Sequence, residues 1–179
     1  MPALRIPGYA LVNLLANQAA WLVAVCAGAR GLWWPGAAAV GMVVAVHLLT
    51  SEHPARECSR LVVAGVLGFA CDAALGFSGA CSWTGGAADG RVPPPWLTAL
   101  WLNFATMLTA SLTWLVPRWR LGMVFGALGG PLAYLAGARL GALAFPHGTM
   151  IALLAIGMCW AVAMVPLLLH VRFQQVPHA

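Results

Sequence analysis

Six long runs of apolar residues follow one another along the chain, separated by short segments that carry the charged, proline and turn-forming residues. Each run is long enough for a helix to cross a hydrocarbon core of about 30 Å, which takes roughly 20 residues. The runs lack the alternation of apolar and polar residues that a membrane barrel requires. We therefore predict an all-α integral membrane bundle, in which residues 1–179 form a single transmembrane domain. The predicted helices number about six and lie at residues 9–29, 32–50, 61–80, 96–116, 121–145 and 149–171.

The amino-acid composition fits a surface that faces lipid. Hydrophobic residues make up 62% of the chain and charged residues 7%, whereas a soluble domain usually carries about 25% charged residues. The nine basic residues are all arginine and stand singly or in pairs between the apolar runs. They lack the basic and aromatic clustering of a nucleic-acid site. We expect membrane lipids, and no nucleic acid, among the partners; the sequence carries no signal for an oligomeric state.

The arginines are distributed unequally between the two ends of the predicted helices. One set lies in the N-terminal tail, the second and fourth loops and the C-terminal tail: Arg5, Arg56, Arg60, Arg118, Arg120 and Arg172. The other end holds Arg30, Arg91 and Arg139. Because cytoplasmic loops carry the excess of basic residues, this bias predicts that both termini lie in the cytoplasm.

The first apolar run shares some features with a secretory signal peptide. Small residues at 27–29 mimic a cleavage site that follows an apolar stretch. However, the amides of Asn13, Asn17 and Gln18 interrupt that stretch. We therefore predict that the run is a retained first helix.

Asp72 is the clearest ionisable residue inside a predicted helix, about 18 Å from Arg60 at 1.5 Å per residue. Gly68 and Gly76 lie four residues to either side of it, so the three share a helix face that can approach another helix closely. An ionisable group at membrane depth is costly and indicates function. Two interpretations are open: proton or substrate binding by the carboxylate, or a structural hydrogen bond to a neighbouring helix.

Arg139 is the candidate partner of Asp72. It lies near the outer end of its predicted helix, where a long side chain can extend to water. Helical side chains also lean toward the N-terminus of their own helix, which here means toward Asp72. The sequence leaves both an Asp72–Arg139 pair and a solvated Arg139 open.

The fifth predicted helix is unusually rich in glycine. Gly126, Gly130 and Gly137 belong to a series of small residues at helical spacing, which suits close contact between helices. Pro131 removes a helical hydrogen bond and predicts a kink. The freed carbonyl groups could bind a ligand, as in the broken helices of transporters. A kinked helix packed tightly on its neighbours is the other interpretation.

No sequence motif indicates a metal, a cofactor or a known catalytic centre. The loop at residues 51–58 and the nearby His47 contain metal-binding residue types, but their spacing matches neither a zinc-protease motif nor a closed Cys/His set. We predict a solvated charged turn there, and neither metal nor cofactor. Phosphate-loop and nucleophile-elbow motifs are absent as well, so the sequence favours a protein that is not an enzyme.

Several stretches of the chain match a known family. They are residues 18–21, Asp72 after its apolar run, residues 101–105, Ser111 with residues 114–115 and, most specifically, residues 129–141. On these residues the chain resembles, over nearly its whole length, a family of small proteobacterial inner-membrane proteins defined only as a domain of unknown function. The resemblance implies a multispanning protein of the bacterial inner membrane and no established activity. The Asn-His that the family usually carries before the serine is Thr109-Ala110 here.

Polar groups at similar predicted depth suggest a small intramembrane pocket near Asp72. The candidate binding residues are Asp72, Asn103, Tyr134, Arg139, Gln18 and Trp101. Our leading hypothesis is that the protein binds or transports a small or lipid-like molecule in this pocket. The alternatives are a membrane-embedded enzyme of lipid modification, with Asp72 as acid or base, and a non-catalytic subunit of a membrane complex.

Overall fold

The computed structural model describes residues 8–86 and 89–175 and confirms the all-α prediction. Within these residues six α-helices account for most of the chain. They are α1 (Tyr9–Gly28), α2 (Trp34–Thr50), α3 (Pro54–Phe77), α4 (Pro95–Leu108), α5 (Trp119–Arg139) and α6 (Thr149–Gln175). A short 3-10 helix at Thr113–Leu115 follows α4, and two-residue strands β1 (Ser82–Trp83) and β2 (Leu143–Ala144) lie in loops.

Four of the six helices are long and apolar enough to cross a membrane, namely α1, α3, α5 and α6. Helix α2 has 17 residues and α4 has 14, so at 1.5 Å per residue they extend only about 25 and 21 Å. The structure therefore shows a membrane-type helical bundle, and the number of six spans stays a prediction.

Helix α3 begins at Pro54, seven residues before the predicted start at position 61. Proline is favoured in the first helical turn because its missing N–H would have no partner there. The earlier start places Glu57 and Arg60 inside the helix, where both are buried. The prediction of a solvated charged turn was therefore wrong for this part of the loop.

Helix α4 ends at Leu108 instead of continuing to position 116. Polar contacts fix the chain just beyond this point: the Thr109 hydroxyl donates to Glu57 at 3.1 Å and the Ser111 hydroxyl to Asn13 at 3.1 Å. Both partners lie on other helices, so tertiary contacts hold the chain at this helix end. The chain after Ser111 therefore forms the 3-10 turn, in which Leu115 packs into the core and Trp114 is exposed.

Helix α5 ends at Arg139, six residues before the predicted end at position 145. Gly141 has a φ of 87°, and the Ala142 amide donates to the Gly137 carbonyl at 3.0 Å. This is the glycine-based ending that satisfies the last carbonyl groups of a helix.

The chain then enters β2, which pairs antiparallel with β1. In this pairing Ser82 lies opposite Ala144, and Trp83 lies opposite Leu143. The predicted helix over 140–145 was therefore wrong.

The helices pack as a group around α4 and a pair formed by α5 and α6. Helix α4 contacts α1, α2 and α3, α5 packs along α6, and α3 joins the two groups through α4 and α6. One end of the bundle brings together the start of α1 and the end of α2, where Tyr9 contacts His47, and the start of α3 and the end of α6, where Arg56 contacts Gln174. This arrangement leaves a cleft between α1 and α4 on one side and α5 on the other.

Candidate functional site

A lateral cleft of about 420 Å³ lies between α1, α4 and α5. Its walls are dominated by aromatic and small side chains, and α6 contributes Trp160. The volume falls in the range of about 300–1,000 Å³ that is typical of small-molecule sites. Residues that line it include Gln18, Trp21, Trp101, Asn103, Phe104, Phe125, Gly129, Ala133, Tyr134 and Trp160. Four of the six predicted binding residues, namely Gln18, Trp101, Asn103 and Tyr134, are therefore brought together by the fold.

Two aromatic rings in the cleft form a stacked pair. Trp101 and Trp160 lie with ring centroids 4.1 Å apart and planes 18° from parallel. Phe104 meets the Trp160 ring edge-on at 5.3 Å. These geometries are favourable for aromatic pairs, so they fix the rings that form one wall of the cleft.

Asp72 lies behind this wall and has no exposed surface. The indole N–H of Trp101 donates to Asp72 Oδ2 at 3.0 Å, and the Tyr134 hydroxyl donates to Oδ1. The carboxylate thus joins α3 to α4 and α5 through two neutral donors. It is not among the residues that line the cleft, and a molecule in the cleft meets Trp101 and Tyr134 before it meets Asp72.

Arg139 does not pair with Asp72. It is the last residue of α5 and its side chain is exposed, whereas both Asp72 oxygens accept hydrogen bonds from Trp101 and Tyr134. The ion pair does not form because Arg139 lies five positions after Tyr134, at the end of the helix. Of the two interpretations, the solvated arginine is the one that the structure shows, and Arg139 lies outside the cleft.

Asn103 is held in the cleft wall by a reciprocal pair with Asn17. Asn103 Nδ2 donates to the Asn17 backbone carbonyl at 3.0 Å and to its Oδ1 at 2.9 Å. Asn17 Nδ2 donates in return to the Asn103 backbone carbonyl at 2.6 Å. Both side chains are buried. Hydrogen bonds between buried amides join helices in membrane proteins, and here they join α1 to α4.

The glycine face of α5 packs against α6. A methyl group at Gly130 would lie 2.5 Å from the Trp160 ring, and one at Gly126 would lie 2.9 Å from the Trp160 backbone carbonyl oxygen. Glycine at these positions therefore allows the two helices to approach closely. Gly137 is buried at the far end of the same helix, where an added methyl group would lie 3.3 Å from Leu143.

Pro131 lies within α5, and the helix continues through it. The carbonyl that lacks a proline N–H partner is that of Ala127. A methyl group at Gly157 of α6 would lie 3.0 Å from this Ala127 oxygen and 3.4 Å from the Pro131 ring. The freed carbonyl thus faces the adjoining helix and not the cleft. The structure therefore agrees with the interpretation of a helix packed tightly on its neighbour, and not with the interpretation in which the freed carbonyl binds a ligand.

Gly68 and Gly76 support the Asp72 face in two different ways. A methyl group at Gly68 would lie 2.0 Å from the Trp101 ring, so this glycine admits the indole that contacts Asp72. One at Gly76 would lie 2.0 Å from the Arg91 backbone carbonyl oxygen. The predicted helix contact therefore forms at Gly68, while Gly76 accommodates the loop before α4.

The comparisons with known proteins give a family but no activity. The family model described as a protein of unknown function (DUF2878) matches residues 10–167. The chain belongs to this family. The matched segment contains every residue that lines the cleft. No curated protein and no solved structure matches the chain.

The sequence analysis did not identify Trp160 as a site residue. Tryptophan is usually enriched at the two membrane interfaces, so its position in the middle of the apolar α6 was a signal.

The sequence analysis also missed a mostly buried polar cluster at the end of the bundle where Tyr9 contacts His47. The cluster comprises Tyr9, His47, Glu57, Arg60 and Thr109. His47 Nε2 donates to Glu57 at 3.1 Å, the Tyr9 hydroxyl lies 3.0 Å from His47 Nδ1, and Arg60 donates to the other Glu57 oxygen. Proline at position 54, which starts α3 before these charges, was the available signal.

No metal centre is apparent in the part of the chain that the structure describes. Over residues 8–86 and 89–175, no group of three or more His, Cys, Asp or Glu side chains could hold a metal ion. His47 and Glu57 instead satisfy each other and their neighbours in the cluster. The chemistry that the cleft offers is therefore apolar and aromatic contact with a few uncharged polar groups.

Proposed function

We propose that the protein binds, within the bilayer, a membrane-soluble apolar or amphiphilic molecule, and that the cleft between α1, α4 and α5 is its binding site. The observation that carries this proposal is a cleft of about 420 Å³ with aromatic walls in a bundle of membrane-type helices. Pockets that are mostly apolar and carry a few placed polar groups are the usual form of small-molecule sites. The proposal covers both static binding and a step in transport.

The position of Asp72 favours binding over lipid modification. An acid or base must reach the reacting group within hydrogen-bond distance. Both Asp72 oxygens already accept hydrogen bonds, and the aromatic wall separates the carboxylate from the cleft. The enzyme alternative therefore has less support than the binding alternative.

A photo-crosslinking experiment tests the cleft. The full chain in lipid nanodiscs is irradiated with a hexadecane that carries a diazirine, and labelled peptides are mapped by mass spectrometry. We expect saturable labelling of α1, α4 and α5 residues that face the cleft. Labelling that never saturates and is spread evenly over the lipid-facing helices would contradict the proposal.

Two matched glycine substitutions sharpen this test. A methyl group at Gly129 would have only the Phe125 ring within 4 Å, at 3.9 Å, and Gly129 lines the cleft. At Gly41 of α2, nothing lies within 4 Å and the cleft is remote. We expect Gly129→Phe to reduce saturable labelling by about tenfold, because the ring occupies the site. Gly41→Phe should label like the wild type.

A partner helix is a second candidate occupant of the cleft. Its α5 wall includes Gly126, Gly129, Ala133 and Ala136, and small residues of this kind suit a second transmembrane helix. This alternative corresponds to a non-catalytic subunit. It predicts that crosslinks from the cleft join the chain to another polypeptide, and that the hydrocarbon probe enters only when that partner is removed.

We also propose that the chain spans the bacterial inner membrane with six helices and both ends in the cytoplasm. Five of the described arginines lie toward the end of the bundle where His47 contacts Tyr9, which we call the His47 end: Arg56, Arg60, Arg118, Arg120 and Arg172. The other three lie toward the opposite end: Arg30, Arg91 and Arg139. This bias supports the orientation. Arg5 lies outside the described residues.

Cysteine labelling in whole cells tests the orientation. Cys58 is exposed and lies in the first turns of α3, at the His47 end. A membrane-impermeant maleimide should label it only after the cells are permeabilised. An Arg91→Cys variant places a thiol at the opposite end and should be labelled in intact cells. The reverse pattern would overturn the orientation without affecting the binding proposal.

A further inference from the structure

Three buried polar atoms of residues that line the cleft have no hydrogen-bond partner within the described residues. Two are the indole nitrogens of Trp96 and Trp160, which can only donate, and the third is an acceptor, Asn103 Oδ1. Asn103 is 1% exposed, and its Oδ1 makes no hydrogen bond within the described residues. The orientation of this amide is fixed because its Nδ2 faces two acceptors on Asn17. Buried polar atoms in native structures nearly always have a partner, so an exception in a binding cleft calls for one. Asn103 lines the cleft, and Oδ1 can only accept a hydrogen bond.

A second polar side chain also lines the cleft. Gln18 follows Asn17 along α1, and the Asn17 side chain is paired with Asn103. Gln18 also lines the cleft and is exposed, and its side chain makes no hydrogen bond within the described residues. Its amide can both donate and accept. The cleft lining therefore contains a strict acceptor on α4 and a group that can donate on the adjoining α1.

The charge of the cleft limits the occupant further. No charged side chain is among the residues that line it. An ionised headgroup that moved from water into this site would lose its solvation without gaining a counter-ion. The occupant's polar group must therefore be uncharged, and it must carry a proton for Asn103 Oδ1.

We infer that the cleft binds an uncharged lipid alcohol, with its hydroxyl group donating to Asn103 Oδ1 and accepting from the Gln18 amide. A hydroxyl is the smallest neutral group that does both. The hydrocarbon part then lies along the aromatic wall formed by Trp101, Trp160 and Phe104. This inference rests on the proposed binding function and names the chemical class of its ligand.

Competition between matched lipids tests the inference without any mutation. The diazirine hexadecane is bound to the wild-type chain in nanodiscs, and four compounds with the same chain length compete for labelling. They are hexadecanol, hexadecyl methyl ether, hexadecanoate and hexadecyltrimethylammonium. We expect hexadecanol to compete about tenfold better than its methyl ether, which cannot donate to Asn103; this ratio corresponds to about 1.4 kcal/mol. The two charged compounds should compete more weakly than the alcohol.

Two variants connect the preference to the named side chains. Gln18→Leu changes an exposed residue without a partner and should fold normally, while the preference for alcohol over ether falls several-fold. Asn103→Leu should abolish the preference, and the Gln18 variant keeps the test informative if Asn103→Leu fails to fold because its bonds to Asn17 are lost. Retention of the full preference in a folded Asn103→Leu would overturn the inference.

The outcomes separate this inference from the binding proposal. Saturable labelling that alcohol and ether displace equally, or that a charged lipid displaces best, would overturn the lipid-alcohol inference and leave the cleft as a binding site. Absence of saturable labelling in the wild type would overturn both. Displacement by the alcohol alone supports both.

Discussion

Helix α3 carries two buried carboxylates that are stabilised in different ways. Glu57 lies one turn from the start of the helix and is 7% exposed; its partners are Arg60, His47 and Thr109. Asp72 lies about four turns later and is fully buried; its partners are the neutral donors Trp101 and Tyr134. The first acid is therefore part of an ionic cluster, and the second is enclosed by aromatic side chains.

The two acids also differ in how far along the chain their partners lie. Glu57 has a partner on its own helix, whereas the partners of Asp72 depend on the whole fold. Arg60 is three residues from Glu57, so their contact forms as soon as the helix forms. Tyr134 is 62 residues from Asp72, and the contact requires α3, α4 and α5 to be packed together. Asp72 thus connects the α4 group to α5 next to the cleft. We expect Glu57 to control the integrity of one bundle end and Asp72 to control the shape of the cleft wall.

The largest effect that we predict comes from removing Glu57. Glu57→Leu leaves Arg60, which is 6% exposed, with a buried charge and no carboxylate. Breaking a buried ion pair in this way should reduce the free energy of unfolding by about 3–5 kcal/mol. Unfolding of the purified protein in mixed micelles, followed by tryptophan fluorescence, measures it. The double variant Glu57→Leu/Arg60→Leu removes the orphaned charge and should be more stable than the single one; equal stability would show that the unpaired Arg60 charge is not what destabilises the single variant.

The next effect concerns the glycine that admits Trp101. A side chain at Gly68 would begin 2.0 Å from the Trp101 ring, and the ring is fixed by its bond to Asp72 and its stack on Trp160. We expect Gly68→Leu to destabilise the protein by about 3 kcal/mol, at the upper end of overpacking effects. The same unfolding assay measures it. Gly41→Leu, which has open space around it, is the matched control and should leave stability unchanged or slightly higher, since leucine is the better helix former.

A smaller effect is expected at the second donor of Asp72. Tyr134→Phe keeps the ring and removes the hydroxyl, leaving one Asp72 oxygen without its partner. The loss should be about 1–2 kcal/mol of unfolding free energy. In an Asp72→Leu background the same substitution should cost nothing further. An equal cost in both backgrounds would mean that the tyrosine hydroxyl stabilises the fold through something other than Asp72.

The contrast between the two acids also explains what the sequence could predict. The apolar runs revealed the helices, since length and hydrophobicity are local properties, whereas the glycine spacing suggested close helix contact without indicating that α6 would be the partner. Helix ends were predicted less well, because α4 is stopped by Thr109 and Ser111, whose partners lie on other helices. Gln18, Trp101, Asn103 and Tyr134 were identified as polar or amphipathic groups at depth, yet nothing local showed that Asp72 would lie behind the wall that they help to form.

Arg139 illustrates the same limit at the level of a single pair. Its predicted depth and side-chain direction placed Arg139 within reach of Asp72. However, a shift of one or two positions along a helix decides whether a long side chain faces the bundle or the solvent. Tyr134, five residues earlier, occupies the place at Asp72 that one of the two interpretations gave to the arginine. To predict such a pair, one must know how the two helices are rotated relative to each other about their axes. The packing of the whole bundle determines this rotation.

The smallest effect is therefore expected at Arg139. Because its side chain is exposed and contacts neither Asp72 oxygen, Arg139→Gln should change the free energy of unfolding by less than about 0.5 kcal/mol. Combined with Asp72→Asn, its effect should add to that of the single change within about 0.3–0.5 kcal/mol, as for independent sites. Tyr134→Phe combined with Asp72→Asn provides the positive control, since those two residues touch and should couple measurably. A coupling energy between Asp72 and Arg139 as large as that of the control would mean that the two charges meet in the membrane. The carboxylate would then belong with Glu57 among the ionic acids of α3.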